Sequence, residues 1–279
     1  MRHFDGRVAV ITGAAGGLGR ALSGELAGRG CHLALTDVDE AALAAAAAGL
    51  EHHGVNVTTH RVDVTDREQM ARLPAAVTAS HGGVNLLVNN AGITLQKSFA
   101  THSLADWDRV VGINWWGVLH GCHFFLPALR EADEAHIVNL SSMLGFLGMP
   151  MQSSYSATKA AIKGLSEALW AELAVEGIGV TSVHPGAIRT EMMQATISDS
   201  DDLDLAKRSY DLQQRFGISP EKAAAKIVRA VQRGKMRVRI GPDAFLLDWL
   251  KRLLPTAIHK PMKKAVGLAT ESTDQRSAQ

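Results

Sequence analysis

A chain of 279 residues, 46% hydrophobic and 20% charged, can form one large α/β domain or two small ones, and its formal charge of +1 argues against a nucleic-acid partner. Two cysteines, Cys31 and Cys122, both in apolar runs, make neither a disulfide framework nor a zinc cluster, and the twelve histidines lack metal-ligand spacing, so no metal is expected. Met1–Gly6 has no apolar signal core and no run reaches the roughly 18 apolar residues of a membrane span, so a cytoplasmic protein is expected.

Arg7–Thr12 reads as a buried strand and runs into Thr12-Gly13-Ala14-Ala15-Gly16-Gly17-Leu18-Gly19, the entry to a helix over Leu18–Gly30. Glycine at 13, 17 and 19 lets the backbone turn tightly and approach a pyrophosphate, whose charge then sits on the free N–H groups of the helix start. A second strand, Cys31–Thr36, leads to Asp37, 18 residues after Gly19. A carboxylate there accepts hydrogen bonds from ribose hydroxyls and repels a 2′-phosphate, which favours NAD over NADP. Neither Gly16 nor Val38 supplies the basic side chain that a phosphate would call for.

The alternation continues with an alanine-rich helix over Glu40–His53, a strand over Val55–Asp63, a helix over Arg67–His81 and a strand over Asn85–Asn89. Then come a long helix, Leu104–Arg130, the strand His136–Leu140, a second long helix, Ser153–Gly177, the strand Val180–His184, the helix Pro220–Gly234 and the strand Arg237–Ile240. Most of these strands are apolar on successive residues, as parallel strands covered on both faces must be. The expected fold is therefore α/β: a single Rossmann-type doubly wound parallel sheet of about seven strands, with helices on both faces and right-handed crossovers. No linker divides it, so residues 1–241 are expected to form one cofactor-binding and catalytic domain.

Two segments break the pattern. Thr190–Gly217 has mixed polarity, an acidic cluster (Asp199, Asp201, Asp202, Asp204) and no strand, which suggests a mobile substrate lid at about 190–217. Residues 242–279 form an extension of the same domain. Within it Asp243–Leu254 is amphipathic, with Phe245, Leu246, Trp249, Leu250 and Leu253 on one stripe and Asp243 and Asp248 on the polar side. Packing against the substrate pocket or an oligomer interface is the favoured role, because a buried large apolar side chain contributes about 1.5–3 kcal/mol. Lys260, Lys263 and Lys264 leave a membrane surface as an alternative, which the shortness of the helix and its aspartates disfavour. The polar tail Thr270–Gln279 is expected to be disordered.

The sharpest chemical signal is Tyr155-Ser156-Ala157-Thr158-Lys159. Four residues apart on a helix, the phenol and the ammonium share one face. An ammonium about 5 Å away, at an effective dielectric of about 20, favours phenolate by roughly 3 kcal/mol, about two pKa units, and so makes a usable acid–base group.

Taken in order, Thr12–Gly19, Asp37, Asp63-Val64, Asn89-Asn90-Ala91-Gly92, Asn114, Ser142, Tyr155-x-x-x-Lys159, and Pro185-Gly186 with Thr190 resemble the short-chain dehydrogenase/reductase family in its compact form, over about Arg7 to Ile240. The resemblance implies that Tyr155 exchanges a proton with the substrate oxygen, that Lys159 tunes it and holds the nicotinamide ribose, and that Ser142 steadies the carbonyl or alkoxide oxygen. Ser142, not Ser141, lies the family's thirteen residues before the tyrosine. Asn114 would hold a water linking Lys159 to solvent. Asp63 and Val64 would meet the adenine, with a place near a helix N-cap as the bland alternative for Asp63. Asn90, Ala91 and Gly92 would wall the ribose, with Asn89 bracing the sheet. Pro185, Gly186, Ile188 and Thr190 would orient the nicotinamide carboxamide.

The implied reaction is reversible hydride transfer between NAD and a secondary alcohol or ketone. Leu95, Met143, Leu144, Phe146, Leu147, Met149, Met151, Met192 and Met193 flank the reactive residues, about half of them expected in the pocket, and favour a hydrophobic substrate. The family also implies a homodimer or homotetramer built on the two long helices, through Trp115, Trp116, Phe124, Phe125 and Trp170. The rival readings are an NADP-dependent ketoreductase, such as a 3-oxoacyl-carrier-protein reductase, and a non-catalytic nucleotide-sensing member of the fold.

Overall fold

In the computed structural model, which describes residues 1–263, the apolar runs become seven strands. They are β1 (Val8–Thr12), β2 (His32–Asp37), β3 (Val57–Arg61), β4 (Leu86–Asn89), β5 (Ala135–Leu140), β6 (Ile178–Pro185) and β7 (Arg237–Ile240). All pair in parallel, in the order β3-β2-β1-β4-β5-β6-β7. Every residue of β1, β4 and β5 is buried, which is why those runs show no alternation, whereas edge strand β3 alternates partly exposed and polar positions.

The helices are α1 (Gly17–Ala27), α2 (Glu40–Ala48), α3 (Arg67–His81), α4 (Leu104–Val111), α5 (Gly117–Arg130), α6 (Ser153–Glu172), α7 (Leu203–Phe216), α8 (Pro220–Gln232) and α9 (Pro242–Leu253). Two apolar clusters lie on opposite faces of the sheet. One joins Leu22 and Leu26 of α1 to Ile227, Val228 and Val231 of α8; the other joins Met70 and Leu73 of α3 to Phe125 and Leu129 of α5 and Ile162 of α6. From β1 the chain winds outward to β3, then returns through α3 to β4 on the other side of β1. That reversal opens a crevice at the carboxyl ends of the strands.

Several elements differ from their expected form. Leu104–Arg130 is not one α-helix: a π turn, Gly112–Trp116, separates α4 from α5. The N-cap of α3 is Asp66, which accepts from Glu68 N and Gln69 N; Asp63 instead accepts from Thr65, so the bland helix-cap role belongs to another residue. Of the aromatics expected at an interface, Phe125 is fully buried against the sheet, while Trp116 and Trp170 are exposed.

The segment expected to be a lid contains a 3-10 turn, Gln194–Asp199, followed by α7, and it is tied down at its middle and across its base. Asp201 accepts from Ser98 N (2.7 Å) and from Thr101, and Asp199 pairs with Arg109 (2.8 Å). Gln214 donates to the Thr190 carbonyl (3.1 Å).

The extension departs furthest from expectation. Helix α9 forms, but its polar side faces the protein. Asp248 is only 3% exposed and is held by Arg239 (2.8 Å), Arg252 (3.1 Å) and Arg237 (3.7 Å). Leu246 (61% exposed), Trp249 (58%) and Leu253 (68%) point outward with Phe245. A carboxylate ringed by three guanidiniums can be buried, and that clamp to β7 fixes which face of the helix turns inward. Lys264 and the tail Thr270–Gln279 lie outside the described residues.

Candidate active site

Where β1 meets α1, the backbone has no room for side chains. Gly13 has φ +63°, and a Cβ there would lie 2.8 Å from Ala91 Cα; one on Gly19 would land on the Gly13 carbonyl. Among the described residues no side chain caps α1, so its first N–H groups are available to an anion. Thr190 lies above Gly17, 3.3 Å from where its Cβ would be. The far wall is Asn90-Ala91-Gly92. Asn90 donates its amide to the Thr12 and Gly13 carbonyls (2.9 Å each), and Thr12 Oγ1 accepts from the backbone of Asn90 (3.0 Å) and Ala91 (3.1 Å). Thr12 opens the motif Thr12–Gly19, but no separate role was expected of it; its hydroxyl braces the Asn90-Ala91 wall.

Asp37 closes β2 and accepts from Ala15 N (3.0 Å), Val38 N (2.8 Å) and Asp39 N (3.2 Å). Three of about four lone-pair directions are used, which fixes the carboxylate and leaves capacity for a ligand hydroxyl. Val64 is buried and its carbonyl meets His120 Nδ1 (3.0 Å), while Asp63 lies exposed on the rim. Together these residues could hold a nucleotide with its phosphates on α1.

The second half of the cleft is built on β5 and α6. Asn89 donates to Asn139 (2.8 Å) and Asn139 donates to Ser166 (3.1 Å), a buried polar ladder that ties β4, β5 and α6 together. Ser141 turns inward and donates to the Lys159 carbonyl (2.7 Å), so its hydroxyl is committed to structure. Ser142 Oγ accepts from Leu144 N (3.1 Å), which leaves its hydrogen to donate. The Ser142 carbonyl accepts from Nδ1 of buried His184 (3.1 Å), while His184 Nε2 meets Ser182 Oγ (2.9 Å). His184 was also missed; its only mark is that it precedes Pro185-Gly186. It stacks on Phe146 at 4.3 Å, and burial pushes its pKa down to about 4.

Tyr155 and Lys159 stand one turn apart on α6, with Lys159 Nζ 5.5 Å from the phenol ring centre. Lys159 is buried, donates to the Leu140 carbonyl (2.8 Å), and is held down to about 8 by burial. The phenol differs from the expectation drawn from charge alone. Burial raises Tyr155 above its ordinary value, because desolvation of the phenolate outweighs the lowering by the Ser142 hydroxyl.

Asn114 sits on the π turn, wholly buried. Its Oδ1 accepts from Ile93 N (2.8 Å) and its amide donates to the Ile93 carbonyl (2.9 Å) and to Thr158 Oγ1 (3.3 Å). Its side chain thus fixes the loop beside Lys159, with both amide hydrogens and one of the two Oδ1 lone pairs taken by protein partners. A Cβ on Gly92 would come within 3.2 Å of Asn114 Oδ1 and 3.3 Å of Lys159 Nζ, so these two atoms share one small space.

Pro185 and Gly186 close β6 opposite Ser142, and Ile188 bridges to Ile218. Of the expected apolar lining, Leu95, Leu144 and Leu147 are core, whereas Met143, Phe146, Met149, Met151 and Met192 keep exposed surface. Met151 has φ +65°, an uncommon conformation for a side chain other than glycine, and its carbonyl accepts from Lys97 N (2.8 Å). A hollow of about 600 Å³ lies behind this loop, bordered by Phe146, Met149, Ala157, His259 and Met262; neither Ser142 nor Tyr155 reaches it. Burial raises both cysteine thiols to about 12, as inert core sulfurs. Among the described residues, no cluster of histidine, cysteine or carboxylate could hold a metal, and no helix is long and apolar enough to cross a membrane.

Residues 7–201 match the family described as short chain dehydrogenase. A putative oxidoreductase of Mycobacterium tuberculosis, SadH, is 38% identical over 264 residues, which span 93% of this chain and 95% of that protein. Among solved structures, a short chain dehydrogenase/reductase of Burkholderia phymatum in complex with NAD superposes with a TM-score of 0.83 at 32% identity, over 90% of this chain and 95% of its own. Levodione reductase superposes at 0.78 with 29% identity, over 88% and 99%.

Proposed function

The chain belongs to the short-chain dehydrogenase/reductase family, and from that membership and its own side chains we propose that it is an NAD(H)-dependent oxidoreductase interconverting a hydrophobic secondary alcohol and its ketone. The observation that carries the reading is the convergence of Ser142, Tyr155 and Lys159 on one end of β5 and α6, facing the glycine turn across the crevice.

The cradle suits a dinucleotide. Gly13, Gly17, Leu18 and Gly19 admit the pyrophosphate to the N-terminus of α1, Asp37 takes the adenosine ribose, and Asp63 and Val64 border the adenine. Asn90, Ala91 and Gly92, with Tyr155 and Lys159, border the nicotinamide ribose, and Pro185, Gly186, Ile188 and Thr190 face the carboxamide. The fixed Asp37 carboxylate, with glycine at 16 and valine at 38, supports NAD over NADP, as does the NAD bound to the Burkholderia relative. When bound, the cofactor accepts or delivers the hydride and adds positive charge to the cleft in its oxidised form.

The side chains do the rest. Ser142 donates its hydroxyl hydrogen to the substrate oxygen and holds it against Tyr155. Tyr155 Oη removes that oxygen's proton in the oxidative direction and returns it in the reductive one. Lys159, charged below about pH 8, favours phenolate and steadies the ribose. Asn114 fixes the Ile93 loop that borders Lys159. The partly exposed Met143, Met149, Met151 and Met192 supply an adaptable apolar lining. Exposed Trp116 and Trp170 suit a second copy packed on the long helices, as a homodimer or homotetramer.

The test is turnover. Purified protein should reduce NAD with hydrophobic secondary alcohols and should prefer NAD to NADP at equal concentration. Faster turnover with NADP would replace this reading with the ketoreductase one. Cofactor binding without turnover on any alcohol or ketone would favour a sensor.

A further inference from the structure

We propose that Asp243, in the first turn of α9, is a positioning residue for the nicotinamide end of the site; the assignment rests on reading Pro185–Thr190 as the segment that faces the nicotinamide. Three observations carry it. Asp243 Oδ2 accepts from the backbone N–H of Ala187 at 2.7 Å, while the Ala187 carbonyl accepts from Ile218 N at 3.0 Å, so the peptides on both sides of Ala187 are held. A Cβ on Gly186 would land on the Asp243 carboxylate, so only glycine at 186 lets the carboxylate come this close. Gly241 has φ +96° and ψ +148°, and a Cβ there would also strike Asp243 Oδ1; two glycines thus form a slot for one carboxylate.

The arrangement gives the extension a task. Gly186 N already donates to the Ile240 carbonyl (2.8 Å), which sets the height of the segment against β7. The carboxylate then adds a charge-assisted bond at the next peptide, which sets its angle. Asp248, clamped by Arg237, Arg239 and Arg252, anchors α9 so that Asp243 cannot drift from the segment. Because Ile188 and Thr190 follow directly, the grip on Ala187 determines where their backbone presents itself to the ring.

Paired ligands provide the test. ADP-ribose carries every part of NAD except the nicotinamide. Calorimetric titration of Asp243→Ala should show a roughly tenfold to hundredfold weaker affinity for NAD, the scale of one lost charge-assisted hydrogen bond, with ADP-ribose affinity unchanged. Asp243→Asn, which keeps an acceptor oxygen, should recover most of the difference. In ligand-free protein the Ala187 amide should exchange with solvent faster in Asp243→Ala than in wild type. Should the alanine variant fail to fold, Asp243→Ser, whose hydroxyl is too short to reach Ala187, must show the same selective loss. Equal losses for the two ligands, or no loss for either, overturn the assignment while leaving the cofactor reading in place. A wild type that binds neither ligand overturns the cofactor reading itself and takes this role with it.

Discussion

The half of the cleft at the ends of β1 and β2 is made of backbone, whereas the half at the ends of β5 and α6 is made of side chains. In the first half the exclusion of Cβ atoms at Gly13 and Gly19 and a carboxylate locked by three N–H groups create shape. In the second half Ser142, Tyr155 and Lys159 have little backbone constraint in common, but burial shifts the two titrating groups, raising the phenol and lowering the ammonium. The contrast teaches a division of labour: a surface made of shape can bind, and a surface made of shifted protons can react. Substitutions on the two sides should therefore fail in different observables.

The largest effect should come from the reactive side. Tyr155→Phe removes one oxygen and should lower turnover by about 10²–10⁴-fold, the usual scale of general acid–base catalysis, with NAD affinity near wild type. Steady-state kinetics beside calorimetric titration separates the two. A loss of affinity as large as the loss of turnover would erase the division.

Acid should weaken the reactive side as well. His184 and His136 are buried as neutral rings, with pKa values pushed to about 4 and about 3 from an ordinary value near 6.5. Each folded value lies below the unfolded one, so their stability contribution is complete above about pH 6.5 and is lost as pH falls toward 4 and then 3. Urea unfolding at pH 7 and pH 4.5 should show a drop of several kcal/mol, since each pKa unit is worth about 1.4 kcal/mol. Because His184 holds the Ser142 carbonyl, exchange protection around Ser142 should fall before protection around Gly13.

Lys159→Met reports the cost of function. Burial lowers this lysine from 10.5 to about 8, a penalty of about 3 kcal/mol for keeping it charged at neutral pH. Losing its bond to the Leu140 carbonyl offsets part of any gain, so the variant should be more stable by about 1–2 kcal/mol at pH 7, with little turnover left. The gap should close as pH rises from 8 to 10.5, where the folded wild type no longer resists a charge. A destabilised variant would mean that the ammonium is not the burden its burial implies.

The smallest effect belongs to the binding side. Asp37→Ala should weaken NAD and improve NADP, moving the ratio of their affinities by about tenfold or more. Turnover at saturating cofactor should stay close to wild type, because Asp37 lies on β2, away from the proton-transfer groups.

The sequence makes this cleft legible because both halves depend on short spacings. Strand β1, its glycines and Asp37 follow one another along a single β-α-β unit, and the Tyr155–Lys159 interval is one helical turn. The remainder depends on which distant groups meet. Helices α8 and α9 both show an apolar stripe; α8 buries Ile227, Val228 and Val231, whereas α9 buries Asp248 and turns Leu246 and Trp249 outward. Periodicity identifies a stripe but not its direction, and the deciding clamp comes largely from arginines on β7. The π turn at Asn114 and the contacts of His184 and Asp243 are hidden for the same reason, since each acquires meaning from a residue at least 21 positions away. The rise in the Tyr155 pKa escaped a charge-only argument because desolvation is a property of packing.

The central claim, that this cleft moves a hydride between an alcohol carbon and NAD with Tyr155 moving the proton, is tested most directly by isotope transfer. Purified enzyme would be given NAD and a panel of hydrophobic secondary alcohols deuterated at the carbinol carbon, and the nicotinamide product examined by mass spectrometry. The account predicts reduced NAD carrying one deuterium with wild-type protein and almost none with Tyr155→Phe. Undeuterated reduced cofactor, or equal labelling by the two proteins, would contradict it.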